Sequence, residues 1–292
     1  MGDPGDKPGV SGVNTPKFLY GTAWKEEKTQ CLTEQALRQG FRGIDTANQR
    51  KHYDEAAVGL GIAACIDAGI VTRGELFLQT KFTHKRGQDH RLPYGPNEPI
   101  SKQVIDSFES SLLHLQTDYL DSCVLHGPSA RDGLTRDDWA AWRAMEGLHA
   151  GSRTRHLGIS NVSLHQLEIL CDKARVVPDF VQNRCYANKG WDWEIRAFCK
   201  ANGITYQGFS LLTANREILA NPKFIEIANR QQRPPSQIIF CFALAVDMIP
   251  LTGTSNADHM KLDLTASGGA LTEGEIDAIE NLLVTQSVQS GA

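Results

Sequence analysis

The sequence predicts an α/β protein built as a closed (β/α)8 TIM barrel, and three observations predict it. Short apolar runs alternate with segments of helical period from one end of the chain to the other, the pattern of parallel strands joined by crossover helices. Eight such runs occur, which suits a closed barrel better than an open sheet of comparable length. The chain, at 292 residues and 41% hydrophobic, has the size and apolar content of one barrel domain.

Taken in order, the strand-like runs are 18–21, 43–45, 76–81, 119–126, 156–160, 180–182, 204–209 and 248–251. Between them, apolar residues fall at helical spacing. Val104, Ile105, Phe108, Leu112 and Leu115 form one such stripe. Gly40, Gly69, Gly151 and Gly203 stand where helices should end. Three connections, 48–52, 82–99 and 127–137, are longer than closure requires. All follow the C-terminal ends of strands, the face that carries the site in barrels of this class. Residues 82–99, rich in Gly, Pro, His and Arg, read either as a lid or as a variable surface loop. Residues 1–14 are polar and turn-rich and read as a loose tail, leaving 15–292 as a single domain.

Composition narrows the partners. A net charge of −4 with both signs interspersed argues against nucleic acid, which needs a concentrated basic face. The longest apolar run, 238–246, is too short to cross a bilayer. Seven scattered cysteines without a CxxC pair, and a start lacking the regions of a secretory signal, point to reduced thiols and a cytoplasmic protein. In that compartment the sequon at Asn161 carries no sugar. No metal site is expected, since His84 and His90 lie in a loop without ligand spacing. Oligomeric state is not legible.

Ionisable residues gather at consecutive strand ends. Asp45 closes the second strand, Lys81 the third and His126 the fourth, while Tyr53 begins the helix after strand two. Neighbouring strand ends in a barrel share one mouth, so these four can share one pocket. A Lys ammonium beside a Tyr hydroxyl lowers the phenol pKa and makes it a better proton donor near neutral pH. A carboxylate keeps that Lys charged and fixed, and a neutral His N–H can steady a developing negative charge on oxygen. Taken singly, each residue has a plainer reading: a helix cap for Asp45, a satisfied core histidine for His126. Lys81 behind Leu76-Phe77-Leu78 is harder to set aside, because a buried Lys needs a partner.

Over residues 16–263 the sequence resembles the aldo-keto reductase family. The stretches that carry the resemblance are Gly21-Thr22-Ala23-Trp24-Lys25, Gly43-Ile44-Asp45-Thr46-Ala47, Tyr53-Asp54-Glu55-Ala56-Ala57-Val58-Gly59 and Gln79-Thr80-Lys81. They continue through Asp118-Tyr119-Leu120-Asp121, Leu125-His126, Gly158-Ile159-Ser160-Asn161-Val162 and Tyr206-Gln207-Gly208-Phe209-Ser210. The resemblance implies Asp45, Tyr53, Lys81 and His126 as a catalytic tetrad that reduces an aldehyde or ketone with a nicotinamide cofactor, NADPH or alternatively NADH. It implies Ser160, Asn161 and Gln182 as partners of the carboxamide, and Phe209 as the aromatic face under the ring, where the family usually has Tyr. Ser210, Leu211 and Leu212 would line the pyrophosphate path, with Thr22 also on the cofactor side. Trp24 would wall the substrate pocket together with Phe82, Tyr94 and Trp191; Trp191 and Trp193 also read as residues packed under a loop.

The sequence departs from the family pattern twice. Asn48-Gln49-Arg50-Lys51-His52 separates Asp-Thr-Ala from Tyr53 by three residues more than expected, so the segment must bulge. Arg50, Lys51 and His52 would then rim the pocket and favour an acidic or polar substrate, or else form a solvated basic loop. At the adenosine end, Gly253 replaces the family Lys and His259 the family Arg, leaving Thr254, Ser255, His259 and Lys261 to hold a 2′-phosphate. One lookalike is set aside. Gly59-Leu60-Gly61-Ile62-Ala63-Ala64 matches a dinucleotide fingerprint, but no strand precedes it, so the glycines read as close helix packing. Two other functions stay open: a nucleotide-sensing barrel that binds the cofactor without turnover, and a lyase or isomerase using Lys81 as a Schiff-base amine.

Overall fold

The computed structural model describes residues 15–268 and 271–284 of the chain. The tail assigned to 1–14 lies outside them. Eight parallel strands close on themselves in chain order. They are β1 (Leu19–Gly21), β2 (Gly43–Asp45), β3 (Phe77–Phe82), β4 (Leu120–Leu125), β5 (Thr154–Ser160), β6 (Phe180–Arg184), β7 (Thr205–Phe209) and β8 (Met248–Thr252). Pairing of Leu19 with Leu251 and Tyr20 with Thr252 seals the ring. Each expected strand is present, with ends shifted by at most two residues.

Helices cover the outside. The first three are α1 (Thr29–Gln39), α2 (Glu55–Asp67) and α3 (Ile100–Leu115). There follow α4 (Arg136–Ala150), α5 (Leu164–Lys173) and α6 (Trp193–Ala201). The last two connections carry α7 (Arg216–Leu219), α8 (Pro222–Arg230), α9 (Pro235–Ala245), α10 (Ala257–Leu264) and α11 (Glu273–Asn281). Gly40, Gly69 and Gly203 adopt the left-handed conformation just past helix ends, as their chemistry allows. The apolar run at 238–246 is explained by α9, whose residues Gln237 to Ala243 are all buried. No helix among the described residues is long and apolar enough to cross a membrane.

Alternation along the strands sorts the barrel interior into layers. Leu19, Phe77, Phe180, Ile249 and Leu251 fill the lower interior as one apolar plug. One step up each strand, polar residues take over: Asp45 pairs in register with Gln79, and Gln182 with Gln207. The plug excludes water from below, and the polar layer therefore has to satisfy itself from within or from the open end.

The glycines of α2 are packing residues. A Cβ at Gly59 would sit 1.9 Å from the His114 carbonyl oxygen on α3, and one at Gly61 2.8 Å from the Gln30 carbonyl oxygen on α1. Backbone atoms cannot swing aside as a side chain can. Gly59→Ala should therefore destabilise the protein by about 1–3 kcal/mol, despite the better helix propensity of Ala. Urea unfolding checks this, and a midpoint equal to or above that of the parent would show that α2 and α3 have room to separate.

Candidate active site

A cleft of about 1050 Å³ opens at the C-terminal ends of the strands. Its floor is built on a buried ion pair. The Lys81 ammonium lies 2.7 and 2.6 Å from the two carboxylate oxygens of Asp45 and donates to the Thr46 carbonyl oxygen at 2.8 Å. Both side chains are almost wholly buried. Gln79 and Gln182 each donate an amide hydrogen to Asp45 Oδ1, at 2.7 and 2.9 Å, and another to Gln207 Oε1. The carboxylate thus has three side-chain donors around it, as a buried ion pair needs. Burial pulls the Lys81 pKa down, and Asp45 opposes that pull.

Asp45, Tyr53 and His126 line the cleft, while Lys81 stands behind Asp45 and does not reach it. The Tyr53 ring lies over the Lys81 ammonium, 5.3 Å from its centroid, and meets the His126 ring edge-on at 6.0 Å. The four expected residues are thus one cluster. Two details differ from expectation. Tyr53 precedes α2 rather than opening it, because Asp54 caps the helix by accepting from the Ala57 N–H. The phenol is also not acidified: burial, and then the charge of Asp45, push its pKa well above the ordinary value. Burial is the main cause, and Lys81, paired with Asp45, does not offset it. A phenol held in its protonated form is still a loaded proton donor.

His126 is neutral. Burial, assisted by Lys81 and His52, pushes its pKa down to about 3. Its Nδ1 lies 2.7 Å from the Thr83 hydroxyl, which fixes the ring. With that hydroxyl as donor, Nε2 carries the N–H. Lys81 gives its hydrogens to protein oxygens and lies outside the cleft, so no substrate carbonyl can meet it to form a Schiff base.

On the opposite wall stand Ser160, Asn161, Gln182 and Phe209. Asn161 is held in the left-handed conformation (φ 52°), its amide donating to the His126 carbonyl oxygen at 2.8 Å and to Ser160 Oγ at 3.1 Å. Gln182 has committed its amide hydrogens to Asp45 and Gln207, so it offers its carbonyl oxygen to the cleft. Ser210, Leu211, Leu212, Gly253 and Thr254 line one arm, as expected.

Several expected residues lie elsewhere. Thr22 is buried behind the floor, where its hydroxyl donates to the Asp45 carbonyl oxygen at 3.0 Å. Ser255 and His259 are exposed at the start of α10, outside the cleft wall. Phe82 and Tyr94 pack on each other one layer back, 5.7 Å apart, with Tyr94 donating to the Thr83 carbonyl oxygen. Trp191 is fully buried against Phe242 and donates to the Ile279 carbonyl oxygen of α11, while Trp193 is exposed on the outer shell. Their aromatic character reflects packing, not contact with the cleft.

The segment 48–52 folds into a compact turn. The N–H groups of His52 and Tyr53 both donate to the Gln49 carbonyl oxygen, which absorbs the extra length and keeps Tyr53 on the floor. Only Gln49 and His52 face inward, with His52 stacked on Trp24 at 3.9 Å. Arg50 pairs outward with Asp54, and Lys51 is exposed. Sequence reasoning missed Lys25, whose ammonium donates to the Gly253 carbonyl oxygen and so returns a cation to the position where Gly253 lacks one. It also missed Thr83, Gln79 and Gln207, and the rim residues Arg86 and Arg131.

Known proteins resemble the chain over nearly its whole length. The sequence model of the Aldo/keto reductase family matches residues 12–284. The glyoxal reductase of Bacillus subtilis is 28% identical over 277 residues, covering 93% of this chain and 90% of that protein. Among solved structures, an aldo/keto reductase from Brucella melitensis superposes with a TM-score of 0.77 at 25% identity, covering 91% of this chain and 95% of its own. One from Bombyx mori, crystallised with NADP, has a TM-score of 0.77 at 23% identity, with 91% and 88% covered; that likeness is one of fold.

The neutrality of His126 can be checked directly. Its folded pKa near 3 lies below the ordinary 6.5, so the unfolded chain takes up this proton first as pH falls. The stability it contributes is whole above pH 6.5 and drains away as pH drops toward 3. In a proton–carbon NMR titration, one of the nine histidine ring signals should stay put from pH 8 to pH 5 and vanish from the set in His126→Asn. Titration of that signal with a midpoint above 6 would refute the assignment.

Proposed function

The chain belongs to the aldo/keto reductase family, and on that premise we propose that it reduces the carbonyl of a small aldehyde or ketone to the alcohol, using NADPH. The observation that carries the reading is the convergence of Tyr53 and His126 on one cleft whose far wall is Phe209 with Ser160, Asn161 and Gln182.

The cleft fits a nicotinamide dinucleotide. Phe209 offers an aromatic face, and the amide oxygen of Gln182, the hydroxyl of Ser160 and the amide of Asn161 match the two sides of a carboxamide. The long arm from Ser210 to Thr254 suits a diphosphate and ribose. When bound, the cofactor supplies the hydride. Tyr53 gives its proton to the carbonyl oxygen as negative charge grows there. An alkoxide is a stronger base than a phenolate, so the transfer runs downhill even from a phenol whose pKa is high. His126 orients the carbonyl and steadies the oxygen with a neutral N–H. Asp45 and Lys81 hold Tyr53 from behind and do not themselves touch substrate.

Lys25 and Thr254 at the Gly253 end support NADPH over NADH, since a cation and a hydroxyl there favour the more highly charged dinucleotide. A sensing barrel without turnover has lost its support, because the turn at 48–52 leaves Tyr53 in the cluster.

Tyr53→Phe should lower kcat by about 10²–10⁴-fold, the usual scale of general acid catalysis, with cofactor affinity nearly unchanged. Near-native turnover followed at 340 nm would remove Tyr53 from the role. Cofactor choice is read by quenching of tryptophan fluorescence, to which Trp24 in the cleft contributes. NADPH should bind more tightly than NADH, and Lys25→Met should narrow the gap. A preference for NADH greater than tenfold would reject the choice.

A further inference from the structure

We propose that the substrate carries a carboxylate, recognised by Arg86 and Arg131 at the end of the cleft away from the Gly253 arm. The proposal rests on the carbonyl-reductase reading of the same site and names the substrate class.

The first support is the sign of the charge. Beyond the floor, the cations lining this end are Arg86 and Arg131; beside them stand His52, whose pKa burial lowers, and His84, which is held by Asp138. Among the described residues that line the cleft, Asp45 is the only carboxylate, and Lys81 already neutralises it. An anion entering here meets the positive potential of two guanidiniums, with no carboxylate in the lining of this end.

The second support is how nearby charges are paired. Of the carboxylates around the rim, Asp132 beside Arg131 turns back to accept from the Gly133 N–H, and three others are held by partners away from the two arginines. Asp54 takes Arg50, and Asp89 takes Arg91, both outside the cleft. Asp138 lies behind the wall, where it takes His84 at 3.0 Å together with the Ser129 and Thr135 N–H groups. Arg86 and Arg131 are in no ion pair among the described residues. Arg86 makes one hydrogen bond, from Nη1 to the Ser129 carbonyl oxygen at 3.1 Å. The remaining donors of its guanidinium are left to a ligand. A planar guanidinium matches a carboxylate with two parallel hydrogen bonds, a geometry a Lys cannot supply.

The third support is rigidity. The bond from Arg86 to Ser129 ties the 82–99 connection to the 127–137 connection. Gln49 binds the Gly87 carbonyl oxygen at 2.7 Å, and Asp138 anchors Ser129 from below. Arg86 is therefore presented by three knitted loops, which lowers the ordering cost of binding. The anionic group would lie beyond Tyr53 and His126, so the reacting carbonyl and the carboxylate belong to opposite ends of one small molecule.

The test compares 4-carboxybenzaldehyde with methyl 4-formylbenzoate, which present the same aldehyde with and without the charge. The wild-type protein should favour the acid by about tenfold or more in kcat/KM, mainly through KM. In the Arg86→Ala/Arg131→Ala double variant the acid-to-ester ratio should fall toward one. Equal use of both aldehydes by the wild type, or an unchanged ratio in the double variant, would overturn the proposal. A second arm avoids turnover altogether: 4-(hydroxymethyl)benzoate and its methyl ester are compared as ligands by saturation-transfer NMR. Selective binding of the acid, lost in the double variant, supports the carboxylate site even where neither aldehyde is reduced, a result that would instead sink the reductase reading. Equal binding of acid and ester removes the carboxylate site whatever the turnover.

Discussion

The buried contact between Asp45 and Lys81 is the constraint on which the rest of the site depends. Two opposite charges on adjacent strands, sealed from below by an apolar plug, are almost wholly withdrawn from bulk water. They persist because each finds every partner it needs within the barrel: Gln79 and Gln182 on the carboxylate, the Thr46 carbonyl on the ammonium. Removing one member of such a pair typically costs about 3–5 kcal/mol, because the other is left buried and unpaired. The amide collar spreads the pair across four strands, from β2 and β3 to β6 and β7. Any residue resting on it inherits a position fixed to within the tolerance of the barrel itself.

That neutrality shapes the chemistry above it. A free ammonium under Tyr53 would draw the phenol toward ionisation; an ion pair does not, and burial then dominates. The same burial keeps His126 uncharged. The two groups facing the cleft are therefore a protonated phenol and a neutral imidazole, each with a hydrogen to donate. Desolvation sets both, in opposite directions on the pKa scale, because it favours whichever form is uncharged. Lys81 acts by holding geometry and by cancelling Asp45.

The barrel and its floor were legible because strand alternation is a local signal with a global consequence. An Asp, a Lys and a His at the ends of consecutive strands must point to one mouth once the sheet closes. Loop residues obey no such rule. Arg50 and His52 are two positions apart on the same turn, yet one pairs outward and the other stacks inward on Trp24, a choice made by Asp54 and by the turn at Gln49. Trp191 failed as a pocket residue for a similar reason: a left-handed backbone at 190–192 turns it beneath α11. Lys25 was hidden by distance in sequence, since its contact at Gly253 spans the closure of the barrel between β1 and β8. Thr22 and Phe82 sit one layer behind the wall because each is turned away from the cleft at its strand end, and Tyr94, in the 82–99 connection, packs on Phe82 from outside.

The structure also separates two kinds of rigidity. The ion pair and its amide collar are carried by strands. The rim is made of loops, and it is fixed by hydrogen bonds that each cross from one connection to another: Gln49 to Gly87, Arg91 to the Arg50 carbonyl oxygen, Arg86 to Ser129. The residues added between Asp45 and Tyr53 are part of that lacing. They supply Gln49, whose side chain reaches Gly87 and whose carbonyl closes the turn that returns Tyr53 to the floor. Lengthening this connection therefore need not loosen the chemistry: the added residues turn back on themselves, contribute a wall at His52, and brace the neighbouring loop that presents Arg86. The rim can change while Tyr53 and His126 stay where the buried ion pair and the turn at Gln49 hold them.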